Sequence, residues 1–199
     1  TAVLIAAVDC TGHGVPGAFM SIVGFERLND AAEIESDPGK MLALLNKGIK
    51  TSLRQSEHAE STRDGMDLAL CSIDLKNYTI SYAGANRPLW IIRKGSNTIE
   101  EIKATKIAIG GLTKDDQRFN THTIQLRQDD TIYIFTDGYM DQFGGKEGKK
   151  LTTKKFKEIL LNIQNKTMQE QQKYLTSFAE EWRGNLEQVD DILIIGVKL

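Results

Sequence analysis

Apolar and polar positions divide this chain by their period. Residues 2–8, AVLIAAV, are apolar without interruption and partly β-branched, the pattern of a short strand buried on both faces. From Pro16 the period lengthens, and Ala18, Ile22, Phe25, Leu28 and Ala32 predict an amphipathic helix over 16–34 with the proline in its first turn. Asp37-Pro38 reads as a cap followed by proline at the first helical position, and Leu42, Leu45, Ile49 and Leu53 then mark one face of a second helix. The two helices are expected to pack together over a sheet. Residues 56–65 are polar and partly acidic, and read as a mobile loop.

From Met66 the grain is that of strands. Residues 67–74 and 78–83, 89–93 and 98–102, and 121–126 and 131–136 predict three successive hairpins, hence antiparallel sheets, most simply two of them face to face. A glycine and lysine loop over 144–150 precedes two more helices, 153–163 with Phe156, Ile159, Leu160 and Ile163, and 168–182 with Tyr174, Leu175, Phe178 and Trp182. Gly184 ends the second, and a strand over 192–198 closes the chain. The class is α+β, and helices at both ends of a strand-rich middle suit an α-β-β-α sandwich of two largely antiparallel sheets flanked by helices.

Three apolar strands carry carboxylates at an end: Asp9 after the first, Asp137 after 131–136, and Asp190-Asp191 just before the last. If these ends converge, the pocket is rich in oxygen and strongly negative, and cations must stabilise it because like charges raise one another's pKa. Carboxylate and water ligands suit magnesium or manganese rather than zinc. A competing pattern is G-x-G-x-x-G over Gly12 to Gly17, which follows a strand and opens a helix as a dinucleotide-binding turn does. It is set aside because Asp9 would oppose a pyrophosphate and because strand and helix do not alternate downstream.

Composition narrows the class further. At 199 residues the chain suits one domain over 1–199, with no repeat or interdomain linker. A net charge of -2 gives no bias toward nucleic acid, and no apolar run approaches the roughly 20 residues that span a bilayer. Cys10 and Cys71 are the only cysteines, and both fall at or in predicted strands, as reduced thiols of a cytoplasmic protein do.

Taken in order, DCTGHGVPGAFMS at 9–21, DGMDLALCSID at 64–74, AGANRPLWIIR at 83–93, IAIGG at 107–111, FTDGYMDQFGG at 135–145 and DDILIIG at 190–196 resemble the SpoIIE-like branch of the PPM metal-dependent serine/threonine phosphatases. The resemblance covers essentially the whole chain. It implies hydrolysis of phosphoserine or phosphothreonine by a water activated between two manganese or magnesium ions. The substrate it implies is a phosphorylated regulatory protein, such as an anti-sigma-factor antagonist of the STAS type, in bacterial signalling. Members carry a further upstream strand ending in a Gly-Asp-Phe-Tyr-like motif, so the expectation is an N-terminally truncated piece of a longer chain, lacking that strand and following an upstream sensor segment.

By the same resemblance Asp9 bridges the ions, the Cys10 carbonyl is a further ligand, and Asp137, Asp190 and Asp191 complete the set, with Asp190 the better match and Asp191 orienting it. His13 either donates a proton to the departing oxygen or hydrogen-bonds the turn. Asn86 and Arg87 either hold a phosphate oxygen or set a turn beside a solvated arginine. Asp141, Asp64 and Asp67 read as helix-start, loop and strand-end residues, and the lysines 146, 149, 150, 154, 155 and 157 as a solvated face. The helices over 16–53 adjoin the Asp9 loop, and in related phosphatases such a pair is a switch and a homodimer surface. The rival reading from another class is a catalytically silent module of the same fold that binds a partner.

Overall fold

The computed structural model describes residues 2–12, 14–55 and 63–199. Its elements in chain order are β1 (Ala2–Cys10), α1 (Gly14–Ile34), α2 (Pro38–Ser52), β2 (Gly65–Asp74), β3 (Thr79–Ala85), β4 (Leu89–Ile92), β5 (Glu100–Ile102), β6 (Ile109–Gly110), β7 (His122–Gln125), β8 (Thr131–Phe135), α3 (Gly138–Asp141), β9 (Phe143–Gly144), β10 (Lys149–Lys150), α4 (Thr153–Ile163), α5 (Met168–Arg183) and β11 (Ile194–Lys198). They form two units, Thr1–Leu89 with Ile102–Leu126, and Trp90–Glu101 with Arg127–Leu199. The α+β class with largely antiparallel sheets is as expected. The antiparallel pairing of β1–β2, β2–β3, β3–β7, β4–β8 and β8–β11 leaves no place for the doubly wound parallel sheet of a dinucleotide-binding fold.

In the first unit the strand order is β1-β2-β3-β7, with β6 added to β2. Met20, Val23 and Ala31 of α1 and Leu42, Leu45 and Ile49 of α2 bury themselves against Met66, Leu68, Leu70 and Ala83 of the sheet. The cap predicted at Asp37 is present. Its carboxylate accepts from Lys40 N at 2.9 Å and from the Thr121 hydroxyl at 2.8 Å, which ties the start of α2 to the segment before β7.

Polar side chains on the buried side of α2 and just beyond its end hold a loop. Asn46, fully buried, accepts from Gly110 N at 2.8 Å and donates to the Lys114 carbonyl at 2.9 Å. Gln55 accepts from Gly111 N at 2.8 Å, and Lys50 Nζ donates to the Thr113 carbonyl at 2.6 Å. Gly110 and Gly111 both have positive φ, +78° and +59°, so this bend requires glycine and needs outside partners for its amides.

Three expectations are corrected here. The face of α1 named from the period is turned outward in its first half: Ile22 is 60% and Phe25 68% exposed, beside Val15 and Phe19, while Leu28 and Ala32 pack partly buried against the core that Gly17, Met20, Val23, Gly24 and Ala31 face. Small residues set that choice, because a Cβ on Gly24 would strike the Met66 side chain and one on Gly17 would strike the Gly12 carbonyl. The strand over 2–8 is not buried on both faces. Among the described residues β1 lies at the end of its sheet, with Ala2 to Leu4 exposed and only Ala7 buried. The third hairpin does not form, since β7 pairs with β3 and β8 with β4 and β11. The loop read over 56–65 lies mostly outside the described residues.

In the second unit the order is β11-β8-β4-β5. Trp90, Phe135, Tyr139 and Phe156 form an aromatic cluster, with Trp90 and Phe135 edge to face at 4.4 Å between centroids. All four predicted apolar residues of α4 are buried. The α5 helix has a complete capping box between Thr167 and Glu170 and ends at Gly184. It docks through Leu175 and through Gln171, which accepts from the Tyr133 hydroxyl at 2.6 Å. β11 begins two residues later than expected because Leu193 N bonds the Thr136 hydroxyl instead of a strand neighbour.

Below this unit's surface Asp130 anchors the turn into β8. Its carboxylate accepts from Arg93 at 3.0 Å, Lys94 N at 2.9 Å and Arg127 N at 3.0 Å. The lysine-rich face is solvated and largely paired: Lys149 with Glu147, Lys150 with Asp141, Lys155 with Glu158 and Lys157 with Glu101. Among the described residues no helix is long and apolar enough to cross a membrane.

Candidate active site

The first unit presents Asp9 on a fixed strand end. Asp9 is the register partner of Asp67 on β2, so the two carboxylates leave the same face of neighbouring strands. Two residues further on, Thr11 clamps the strand end: its N–H donates to the Gly65 carbonyl at 2.9 Å, and its hydroxyl accepts from Gly65 N at 2.8 Å. Two carboxylates so placed repel each other unless a cation stands between them. Arg87 supplies it, with Nη2 at 2.8 Å from Asp9 Oδ2 and 3.3 Å from Asp67 Oδ2. The arginine side chain is 14% exposed and Asp9 17%, so this pair is screened far less than one in open water. Asp67 has a second partner, Asn86, whose Nδ2 donates to Oδ1 at 2.8 Å.

The backbone that carries Arg87 is fixed from several sides. Asn86 takes a positive φ of +59°, which its short polar side chain tolerates, and its N–H donates to the Thr105 carbonyl at 2.9 Å. The Tyr82 hydroxyl donates to the Arg87 carbonyl at 2.6 Å. A Cβ on Gly84 would stand 2.4 Å from that same carbonyl oxygen, so Gly84 permits the close approach.

The second unit brings its carboxylates to one end of its sheet. Phe135 pairs with Ile194, which puts Asp137, just beyond β8, beside the segment leading into β11. Thr136 ties the two, its hydroxyl donating to the Asp191 carbonyl at 2.9 Å and accepting from Leu193 N at 3.0 Å. Asp137 stands at the start of α3 without capping it through its side chain. Asp190 Oδ1 accepts from Asp191 N at 2.7 Å, which orients that carboxylate on its own backbone.

The residues expected to act therefore fall into two sets, Asp9 with Asn86 and Arg87 in the first unit, and Asp137 with Asp190 and Asp191 in the second. His13 lies outside the described residues. Cys10 ends β1 next to Asp9, and burial followed by the Asp9 charge pushes its thiol up against a lowering hydrogen bond from Ser21. Asp141 is the acidic residue of the single turn of α3, and pairs with Lys150 at 2.9 Å. The Arg87 side chain is largely buried rather than solvated. Asp67 was passed over in the sequence because β1 and β2 are far apart in the chain, so no short-range register signal places it opposite Asp9.

Among the described residues no group of three or more His, Cys, Asp or Glu side chains forms a ready metal cage. The donors within each set nevertheless suit a hard divalent ion. All the side-chain donors are carboxylate oxygens, Asp9 already takes a cationic partner, and magnesium is commonly held by one or two carboxylates with water completing its shell.

The model of the family described as Stage II sporulation protein E (SpoIIE) matches residues 1–199. This chain belongs to the SpoIIE family. It is 23% identical over 137 residues to the phosphoserine phosphatase RsbP of Bacillus subtilis, a match over 69% of this chain and 33% of RsbP, so the chain spans about a third of that relative's length. The SiaA-PP2C domain of Pseudomonas aeruginosa superposes with a TM-score of 0.87 at 30% identity, covering 98% of this chain and 75% of that one. The PP2C phosphatase domain of SpoIIE from Bacillus subtilis, solved with a fragment of its regulatory domain, superposes with a TM-score of 0.73 at 19% identity over 98% of this chain and 54% of that one, a likeness of fold. The SpoIIE family is thus one of PP2C-type serine/threonine phosphatases of bacterial signalling, and its fold is that of this chain.

Proposed function

We propose that this chain hydrolyses phosphoserine or phosphothreonine on a regulatory protein, with two manganese or magnesium ions as cofactors. The observation that supports this reading is the pair of acidic strand ends, Asp9 in one unit and Asp137 with Asp190 and Asp191 in the other, in a member of the SpoIIE family. Asp9, Asp137 and Asp190 would hold the ions, with the Cys10 carbonyl as a further donor and Asp191 orienting its neighbour. When bound, the ions supply the activated water and offset the charge of the phosphate. Arg87 binds a phosphate oxygen, Asn86 keeps Asp67 in place beside it, and His13 passes a proton to the departing serine or threonine oxygen.

The substrate in this reading is a small phosphorylated regulator of the STAS anti-sigma-factor-antagonist type, acting in the cytoplasm under an upstream sensor segment. The exposed apolar side of α1, Val15, Phe19, Ile22 and Phe25, supports self-association into a homodimer. Phosphate release from a phosphoserine peptide tests the catalytic reading. Activity should require manganese or magnesium and fall by about a hundredfold or more in Asp9→Asn and Asp137→Asn, the scale of losing a group that acts on the transition state. Full activity in chelator, or in both variants, would refute it.

A further inference from the structure

The residue assigned to the cation is also the residue that Arg87 grips, and Arg87 is the residue assigned to phosphate. Both roles cannot be filled by Arg87 in its present position. Its Nη2 lies on Asp9 Oδ2 at 2.8 Å, and a divalent ion drawing on that carboxylate competes with the guanidinium for the same oxygen. The geometry points to an exchange: a divalent cation takes Asp9 from Arg87, and the released guanidinium swings to the phosphate group of the substrate. This inference deepens the proposed function and rests on it.

The surroundings are built for such an exchange. The Arg87 backbone is held by the Tyr82 hydroxyl and by the close contact at Gly84, so only the long side chain has to move. Asp67 is not stranded when the guanidinium leaves, because Asn86 Nδ2 still donates to it at 2.8 Å. Asp67 thus acts as the resting post for Arg87, and Asn86 as the residue that lets the post stand alone. The guanidinium supplies the planar fork that suits a phosphate group bidentately. The consequence is thermodynamic. Metal weakens the grip of Asp9 on Arg87, phosphate draws Arg87 away from Asp9, and each ligand must tighten the other by the same factor. An empty enzyme keeps its acidic strand end neutralised without a metal, and commits to binding metal most strongly when a phosphate group is present.

The test is calorimetric titration of magnesium into the whole chain, without and with inorganic phosphate, for the native protein, Arg87→Met, Arg87→Lys and Asp9→Asn, each at low and high potassium chloride. Removing a charge-assisted hydrogen bond that competes for Asp9 should tighten magnesium binding by about ten- to hundredfold in Arg87→Met without phosphate. The gain should persist at high salt, whereas a general effect of lost positive charge fades with screening. Phosphate should tighten magnesium in the native chain and do so markedly less in Arg87→Met. Arg87→Lys keeps the charge but not the fork, and should fall between the two. If Arg87→Met unfolds, as a melting curve will report, the Arg87→Lys comparison carries the test by itself.

Magnesium affinity that is unchanged or weaker in the arginine variants overturns the exchange, as does a gain that disappears in high salt or the absence of saturable binding in every chain. The parent reading fails separately. If Asp9→Asn binds magnesium as well as the native chain does, Asp9 is not a ligand. If Asp9→Asn loses binding while the arginine variants leave it unaltered, Asp9 is a ligand and only the exchange is wrong.

Discussion

Substituting Gly138 by alanine asks whether the Asp190-Asp191 segment is fixed against the end of β8. An added Cβ would stand 2.4 Å from the Asp191 carbonyl oxygen and 2.9 Å from its carbon. Ordinary non-bonded contact begins near 3.4 Å, so the two segments must separate by about 1 Å. Gly138 is absent from the positive-φ positions, so alanine adds no torsional strain there, and its better helix propensity returns up to about 1 kcal/mol. Overpacking costs about 1–3 kcal/mol, which leaves a net loss of about 1–2 kcal/mol and a melting point lower by about 2–8 °C for a chain of this size. The same separation stretches the Thr136–Asp191 hydrogen bond, now 2.9 Å, and carries both aspartates away from Asp137. If these carboxylates serve one cation, magnesium affinity should fall about tenfold and phosphatase activity about a hundredfold, the scale of a 1 Å misplacement. Melting curves and magnesium calorimetry on one preparation decide it. A lowered melting point with native magnesium affinity would show that the contact is structural only, and no change in either would refute the close approach itself.

Other substitutions probe the rest of the molecule. Burial pushes the Asp130 carboxyl up, but Lys94 N, the Arg93 guanidinium and Arg127 N together outweigh it and hold the group below the usual carboxylate range. Its stabilisation is therefore present above the unfolded value near 3.9 and is lost as pH falls through the lower folded value. Asp130→Asn should cost about 2 kcal/mol in urea unfolding at neutral pH and much less near pH 3, whereas an equal cost at both would contradict the assignment. Asn46→Leu should lower stability by about 2–3 kcal/mol, because it leaves the buried Gly110 N–H without an acceptor, and a neutral result in the same urea assay would mean that the bend finds another partner. Thr152 holds φ +76° and ψ 150°, a region suited to glycine, so Thr152→Gly should be neutral or stabilising by up to about 1 kcal/mol despite the lost α4 cap. Ile22→Ser with Phe25→Ser should shift sedimentation from dimer to monomer without lowering the melting point, and a native chain that is already monomeric removes the dimer reading.

Where sequence and structure agree, a local signal was sufficient. The Asp37-Pro38 start of α2, the whole span of α4 and the glycine end of α5 are each fixed by neighbours a few residues away. Where they part, the deciding contact is distant in the chain. The α1 helix is apolar on two sides, and Met66, over forty residues on, helps select the side bearing Gly24 as the buried one. Whether residues 2–8 form a central or an edge strand depends on what pairs beyond them, which periodicity does not encode. The connection over residues 127–130 looks like a hairpin turn by composition, but the Asp130 carboxylate bonds Arg93 and Lys94 and so turns the chain into the other sheet. At the candidate site the strand-end aspartates were legible because an acid that terminates an apolar run is conspicuous. Asp67, Tyr82 and Gly84 were not, since their part is to position Arg87 through contacts that only the register of β2 and β3 creates.

The two cysteines give this protein a pair of built-in clocks. Cys71 sits wholly buried in β2, flanked by Ile5 of β1 and Tyr82 of β3, and burial raises its thiol far above the ordinary value. Cys10 closes β1 beside Asp9 and is only partly covered. Because alkylation requires the thiolate, each thiol reacts at the rate at which its own surroundings open. Labelling of Cys10 thus times the loosening of the Asp9 strand end, and labelling of Cys71 times the parting of the sheet. A ligand that stiffens the site alone will slow the first clock and leave the second running at its native rate.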